Sequence, residues 1–354
     1  MRRAAVNIWT TGGPVSANDL GITLVHEHVK VVVPGADLDP TATLDRADAI
    51  ERAVDALSEL LDHGVRTVVD PTPIDQGRDV ELMAEVARRV GINLVCATGF
   101  YYEDECRGLP FYWRQRYPEE IAELFIAELE RGVGGTGICP GVIKVASGRT
   151  VGVHDRKVFA AAAIAAQATG TTVITHTEHS RHGAEQQELL AEGGADLGRC
   201  LIGHLDMLSV DELLGLAQAG SMLSVDRIGW DVLGDDGHRA DLVAAMFAAG
   251  RADQLCISQD RVSTYWSPRP QFWVPPGKKD YVANIRVPAL IRDGTAKGYA
   301  YLFTHFIPRL VDRGLGDGEI RKLLVDNPRR LLGGQDDVIG RAREPASSQG
   351  MRPK

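Results

Sequence analysis

Short apolar runs alternate with longer amphipathic stretches along most of this chain. Eight of the runs are rich in β-branched residues and predict strands, at 22–28, 66–71, 93–98, 141–146, 171–176, 200–204, 221–226 and 254–259. Most of them are apolar at nearly every position, which is typical of parallel strands whose faces are covered by helices.

The stretches between these runs have the spacing of amphipathic helices. One begins near Ala42 and continues to Gly64, and another begins with Pro118 and two glutamates and ends at Gly132. Strands that alternate with helices predict βαβ units and a parallel sheet. Eight units predict an α/β fold, closed into a (β/α)8 barrel. The alternative is an open doubly wound sheet, but no GxGxxG motif follows the first strand.

The alternation of strands and helices predicts a single barrel domain over residues 1–333, followed by a polar and flexible tail over residues 334–354. One segment interrupts this alternation after the eighth strand. From Arg261 to about Pro288 the chain is rich in proline and aromatic residues. A loop of this length in a compact domain is usually functional or disordered.

Composition narrows the class of protein. The net charge of −9 argues against nucleic acid as the main partner. The five cysteines form no CxxC pair and indicate a reduced, cytoplasmic protein without a disulfide framework. No apolar run is long enough to span a membrane, and none follows the first arginines as in a secretory signal. We therefore expect a cytoplasmic protein that acts on a small molecule.

The candidate chemistry lies at the ends of the predicted strands, where the side chains of a barrel converge on one mouth. The residues placed there are His26, His28, Lys144, His176, His204 and Asp260. A single histidine in such a position is more often a packing residue. Four histidines and an aspartate in one mouth would leave many buried polar groups unpaired without a metal. Imidazole and carboxylate ligands suit zinc, and also manganese, cobalt or iron.

Two details sharpen the metal hypothesis. Residues two apart on a strand point the same way, so His26 and His28 share a face and Glu27 takes the opposite one.

Lys144 lies in an apolar run, where a buried ammonium is unfavourable. It either forms an ion pair or is carboxylated on Nζ, which would give an anionic carbamate able to bridge metals.

These motifs together resemble the phosphotriesterase family of the amidohydrolase superfamily, which includes phosphotriesterase-like lactonases. The segments GITLVHEHV, GVIKVAS, THT, IGH and ISQD carry the resemblance, which extends from about Gly13 to Leu332. It implies a binuclear metal centre, most simply of zinc. His26, His28 and Asp260 would hold the more buried ion, and His176 and His204 the more exposed one. Carboxylated Lys144 and a hydroxide would bridge the pair.

One departure concerns His179, three residues after His176, which could compete as a ligand if the strand ended earlier. His176 is closer to the apolar run, so we predict it to be the ligand and His179 to face the loop or solvent.

The resemblance implies a hydrolase. The bridging hydroxide would attack a lactone or ester carbonyl, or the phosphorus of a phosphotriester, and Asp260 would accept the proton. Alternatives on the same centre are hydrolysis of an N-acyl amide or of a phosphorylated sugar lactone. A barrel that binds a ligand without catalysis is a more remote alternative, because all six ligands are intact.

Aromatic and cationic residues after the strands are candidates for substrate binding: Tyr101, Tyr102, Arg227, Trp230, Arg261, Trp266 and Trp273. The resemblance places Tyr101 beside the metals and Arg227 at the pocket edge, both with a part in catalysis. The alternative is that such residues form structural ion pairs, cover helix ends or lie in a homodimer contact, which the resemblance also allows.

Overall fold

Eight parallel strands form a nearly closed barrel in the computed structural model, which describes residues 7–103, 108–267 and 293–333. In spatial order these strands are β3 (Ile22–Leu24), β5 (Val65–Asp70), β6 (Asn93–Gly99), β7 (Val142–Ser147), β8 (Thr172–Thr177), β9 (Cys200–Ile202), β10 (Met222–Val225) and β11 (Leu255–Ile257). All eight correspond to predicted runs. The predicted (β/α)8 barrel is confirmed.

Four further strands lie outside the barrel ladder. They are β1 (Asn7–Thr10), β2 (Gly13–Ser16), β4 (His28–Val32) and β12 (Val262–Trp266). The first two form an antiparallel hairpin, and a hydrogen bond from Thr11 N to Leu94 O attaches its turn to the barrel. The other two pair in parallel and extend the first and last barrel strands beyond the barrel.

Helices cover the outside of the barrel. The α-helices span Arg46–Ser58, Val80–Val90, Phe111–Arg114, Pro118–Arg131, Val153–Thr169, Gly183–Glu192, Val210–Gln218, Asp236–Ala248, Ile307–Val311, Asp317–Arg321 and Asn327–Gly333, with π-helical turns at Leu302–Phe306 and Lys322–Asp326. Side-chain caps define where several helices begin: Asp79 accepts from Leu82 N, and Ser209 accepts from Glu212 N. No helix in the described ranges is both long and apolar enough to cross a membrane.

Two hydrophobic layers follow from the alternation of side chains along each strand. Val68 packs outward against the helices, whereas its neighbour Val69 packs into the barrel interior with Val95 and Ile174. Leu331 belongs to the same interior cluster. Because apolar side chains fill this part of the barrel, the carboxyl-terminal ends of the strands are left for polar chemistry.

The seam between the first and last strands is closed by a buried carboxylate. Glu27 Oε1 accepts from Ser258 Oγ and Gln259 N, both at 2.9 Å, and Oε2 accepts from Arg261 N at 2.7 Å. Asp260 N donates to His26 O across the same seam at 2.9 Å. Burial raises the pKa of Glu27 to about 8, although these hydrogen bonds and the charge of Arg261 oppose the shift.

The first strand and Glu27 differ from the prediction. The sequence predicted a single strand over residues 22–28 with Glu27 on its outward face. The strand instead stops at Leu24 and β4 starts at His28, so the HEH segment bridges two ladders. Glu27 is wholly buried there, because its carboxylate pairs with the end of the chain's last barrel strand.

Parts of the predicted organisation lie outside the described residues. These are the tail over residues 334–354, the proline-rich loop from residue 268 onward, and Cys106. The described start of that loop is ordered as β12. The other four cysteines, Cys96, Cys139, Cys200 and Cys256, are buried free thiols.

Replacing the seam carboxylate should destabilise the fold. Glu27→Ala leaves three buried donors without their acceptor, and we expect the free energy of unfolding to fall by about 2–5 kcal/mol. Denaturant unfolding followed by circular dichroism measures this. Glu123→Ala, at an exposed position of helix Pro118–Arg131, is the matched control. Equal stability of the two variants would contradict a structural role for Glu27.

Candidate metal centre

The first three predicted ligands converge where the barrel closes. Asp260 Oδ1 lies 3.1 Å from His28 Nε2 and 3.6 Å from His26 Nε2. Ligand atoms about 2.0–2.2 Å from a single zinc ion are separated by distances of this size. The three side chains are nearly inaccessible to solvent. This donor set therefore fits one divalent cation.

Asp226 contacts Nδ1 of two of the imidazoles, whose Nε2 atoms lie toward Asp260. Its Oδ2 lies 3.0 Å from His26 Nδ1, and its Oδ1 lies 2.8 Å from His204 Nδ1. Burial alone would raise the pKa of Asp226, but the neighbouring His204 and His26 hold it well below its usual range. A carboxylate on one ring nitrogen fixes the orientation of a histidine and leaves the other nitrogen for a metal.

His28 is oriented in the same way by its own partners. Its Nδ1 lies 2.7 Å from Thr72 Oγ1 and 3.4 Å from Asp70 Oδ1. Asp70 also accepts from Thr72 Oγ1 at 2.6 Å, so this support is itself fixed. Burial lowers the pKa of His26 to about 3, although the charges of Asp260 and Asp226 oppose the shift.

Lys144 occupies the barrel interior beside this cluster. Its Nζ lies 3.4 Å from His26 Nε2 and donates to Thr175 O at 3.3 Å. Burial lowers the pKa of Lys144 to about 8. The charges of Asp260 and Asp226 oppose this shift, and the choice between an ion pair and a carbamate stays a prediction.

His176 and His204 lie at the ends of the next strands. Their rings meet edge to face with centroids 4.5 Å apart, and the His204 ring stacks on that of His26 at 4.7 Å. His204 Nε2 is 3.8 Å from Asp260 Oδ2. The six predicted ligands are thus brought to one mouth of the barrel.

Backbone strain accompanies two of the ligands. His204 has a φ of 61° and Asp260 a φ of 53°, in the left-handed region that residues other than glycine seldom adopt. Such conformations persist only where surrounding contacts enforce them, and they concentrate at functional sites. Here Asp226 accepts from His204 N, and His26 O accepts from Asp260 N.

His179 lies in the turn that follows β8, and the choice of His176 and not His179 as the ligand stays a prediction. Its φ of 55° turns the chain, and its Nδ1 lies 2.9 Å from Glu178 Oε1. Glu178 was missed by sequence reasoning. Its Oε2 lies 3.0 Å from His176 Nε2. Burial alone would raise the pKa of Glu178, but hydrogen bonds with His176 and His179 hold it far below its usual range.

Three of the predicted substrate-binding residues border the cluster. Tyr101 OH lies 3.0 Å from His176 Nδ1, and Tyr102 packs on Tyr101 with ring centroids 4.4 Å apart. Arg227 Nε donates to Asp260 Oδ2 at 3.1 Å. These side chains form one wall beside the candidate ligands.

Other predicted substrate contacts are placed differently. Arg261 has no exposed surface, and its guanidinium donates to the carbonyl oxygens of Ile228 and Asp293. Trp230 is also buried, and its Nε1 donates to Gln259 O at 2.7 Å. Arg261 supports loops from inside, which corrects its assignment to the pocket. The Trp230 ring also packs against Arg227, whose Cζ lies 5.4 Å from the ring centroid, and its role in substrate binding stays a prediction.

Two tryptophans complete the predicted set. Trp266 is half-buried on β12, where it pairs with Val32 of β4. Trp273 lies outside the described residues.

Comparison with known proteins identifies the family. The model of the Phosphotriesterase family matches residues 6–332. The chain belongs to the phosphotriesterase family. The phosphotriesterase homology protein of Mycobacterium tuberculosis is 35% identical over 337 residues, which cover 91% of this chain and 96% of that protein. The aryldialkylphosphatase of Saccharolobus solfataricus is 32% identical, over 90% of this chain and 96% of that enzyme.

Solved structures agree with this assignment. The organophosphorus hydrolase of Deinococcus radiodurans superposes with a TM-score of 0.83 at 32% identity, covering 93% of this chain and 98% of that one. A structure engineered from a weak promiscuous lactonase template gives a TM-score of 0.82. This member of the phosphotriesterase family is a metal-dependent hydrolase.

Asp226 should govern metal affinity although it was not a predicted ligand. Asp226→Ala removes the acceptor of two imidazoles, and we expect metal affinity to fall about 10–100-fold. The metal affinity of Asp226→Asn should lie between those of the wild type and Asp226→Ala, because an amide has one acceptor oxygen for two ring N–H donors. Competition with a chromophoric chelator measures the change. Asp211→Asn, at an exposed position, is the control, and an Asp226→Ala variant that matched it would refute the role.

Proposed function

We propose that this protein hydrolyses a lactone or ester, or a phosphotriester, at a binuclear metal centre. The convergence of His26, His28, Lys144 and Asp260, with ligand atoms 3.1–3.6 Å apart, is the observation that supports this most. The rings of His176 and His204 adjoin that group. These are the six positions at which the family resemblance predicts ligands.

The residues divide between two sites. His26, His28 and Asp260 would hold the more buried ion and His176 and His204 the more exposed one, with Lys144 between them as a carbamate. The donor types favour zinc, with manganese, cobalt or iron as alternatives. When bound, such a pair of ions makes hydroxide available near neutral pH and polarises the oxygen of the substrate.

Asp260 is the proposed proton acceptor. Its Oδ1 faces the two histidines of the buried site, while Oδ2 accepts from Arg227 Nε. The pKa of Asp260 lies well below its usual range. Burial opposes this shift, but the charges of His26 and His204 outweigh it. The carboxylate is therefore ionised, as a proton acceptor must be, and it would take the proton released when water attacks the substrate.

Tyr101 and Arg227 are the proposed orienting groups for the substrate. The phenol of Tyr101 lies at His176, and the guanidinium of Arg227 lies at Asp260, so the two side chains adjoin different candidate ligands. Each can donate a hydrogen bond to the oxygen of a carbonyl or phosphoryl group. Tyr102 adds apolar surface beside Tyr101.

The names of relatives point to both phosphorus and carbonyl substrates. Aryldialkylphosphatase and organophosphorus hydrolase are names of relatives at 32% identity, and a lactonase template underlies one related structure. Amide hydrolysis is the second candidate, because N-acetyltaurine hydrolase of Rattus norvegicus is 25% identical over 92% of this chain.

A substrate panel tests the proposal. Metal-loaded protein is incubated with lactones, aryl phosphotriesters, carboxylic esters and N-acyl amides, and products are followed by mass spectrometry. We expect turnover of a lactone or phosphotriester, reduced about 10²–10⁴-fold in Asp260→Asn because the proton acceptor is lost.

Metal content is measured in every sample, so that loss of the acceptor is separated from loss of ions. Asp312→Asn, at an exposed position, is the control. Normal turnover by a fully loaded Asp260→Asn variant would exclude this role. Turnover of amides alone would favour the second candidate.

A further inference from the structure

Glu178 is a carboxylate beside the candidate centre that the ligand assignment does not use. It follows β8 directly, and its Oε2 lies 3.0 Å from His176 Nε2. Tyr102 OH donates to the same oxygen at 3.4 Å, and His179 Nδ1 lies 2.9 Å from Oε1. The side chain is only 17% exposed. Its carboxylate thus lies among candidate ligands and pocket residues.

The other three candidate histidines share one arrangement. In each of them Nδ1 faces a supporting oxygen: Asp226 for His26 and His204, and Thr72 for His28. Nε2 of His26 and of His28 is then the nitrogen that faces Asp260 Oδ1. A metal-binding imidazole commonly has an oxygen on one nitrogen and the metal on the other.

His176 reverses this arrangement. Its carboxylate partner lies on Nε2, so Nδ1 is the nitrogen that has no carboxylate beside it and has the phenol of Tyr101 as its partner. Tyr101 OH lies 3.0 Å from Nδ1, and 3.3 Å from Nε2, so the Nδ1 edge of the ring borders the wall formed by Tyr101 and Tyr102. The same ring contacts that of His204, the other candidate ligand of the exposed ion.

The turn that carries Glu178 is held in a strained conformation. His179 and Ser180 have φ values of 55° and 57°, which are unfavourable for residues with a Cβ atom. Ser180 Oγ donates to His204 O at 2.6 Å and accepts from Met207 N at 3.0 Å. These bonds attach the turn to the loop after β9, so Glu178 is fixed relative to both His176 and His204.

We propose that Glu178 is a positioning residue for the exposed metal site. Its carboxylate accepts a hydrogen bond from Nε2–H of His176, which fixes that tautomer and presents Nδ1 to the ion. The inference rests on the binuclear centre proposed above. A direct bond between Glu178 and the ion is the competing arrangement, and the two differ in what an amide at position 178 would do.

The test measures metal binding and not turnover. Zinc is titrated against a chromophoric chelator for the wild-type protein, Glu178→Gln and Glu178→Ala. We expect two ions in the wild type. In Glu178→Ala the weaker site should lose about 10–100-fold in affinity, with the tighter site unchanged. In Glu178→Gln the loss should be several-fold at most, because the amide oxygen still accepts from Nε2–H.

A spectroscopic readout accompanies the titration. In ¹⁵N-histidine NMR of the zinc-loaded protein, His176 should carry its proton on Nε2 in the wild type and in Glu178→Gln. An Nδ1-protonated His176 in the wild type would overturn the proposal, even if the alanine variant failed to fold. Glu188→Ala, on an exposed position of the neighbouring helix, is the matched control and should leave both readouts unchanged.

The remaining outcomes separate this inference from the proposed function. An equal loss in Glu178→Gln and Glu178→Ala would overturn positioning in favour of a direct ligand. Two ions of unchanged affinity in both variants would refute the inference and leave the proposed function standing. A wild-type protein that held a single ion would refute the binuclear centre, and the inference with it.

Discussion

The contact on which the site depends is the buried carboxylate of Glu27 against the end of the last barrel strand. It accepts three hydrogen bonds from residues more than 200 positions later in the chain, at Ser258, Gln259 and Arg261. Because His26 and His28 flank Glu27, and Asp260 lies among its donors, closing the barrel also assembles the buried ligand set. Fold and chemistry therefore share one polar seam.

Buried acids and hydroxyls orient the candidate imidazoles. Asp226 orients two imidazoles at once, and Thr72 with Asp70 orients a third. These pairs compensate for burying so many polar groups, since each ring nitrogen that does not face the cluster has an oxygen partner. Asp226 also accepts from His204 N, and His26 O accepts from Asp260 N, so hydrogen bonds support the left-handed backbone at both residues.

The sequence predicted the barrel and the six candidate ligands because both follow from local patterns. Apolar runs define the strands, and polar residues at their ends must face the same mouth. It could not predict the partner of Glu27, since that pairing depends on closure between distant strands. Asp226 also ends an apolar run, so the pattern that identified the candidate ligands could have identified it. Arg261 was misplaced because following a strand does not reveal whether a side chain turns into the pocket or under a loop.

Anomalous diffraction from crystals of the metal-loaded protein, recorded at the absorption edge of the bound metal, tests the central claim most directly. A binuclear metal centre predicts two peaks about 3.5–4 Å apart, one among His26, His28 and Asp260 and one beside His176 and His204. It also predicts density for a carboxylate beyond Nζ of Lys144, between the peaks. A single peak, or a fully loaded site in which Lys144 remains a free amine, would contradict it.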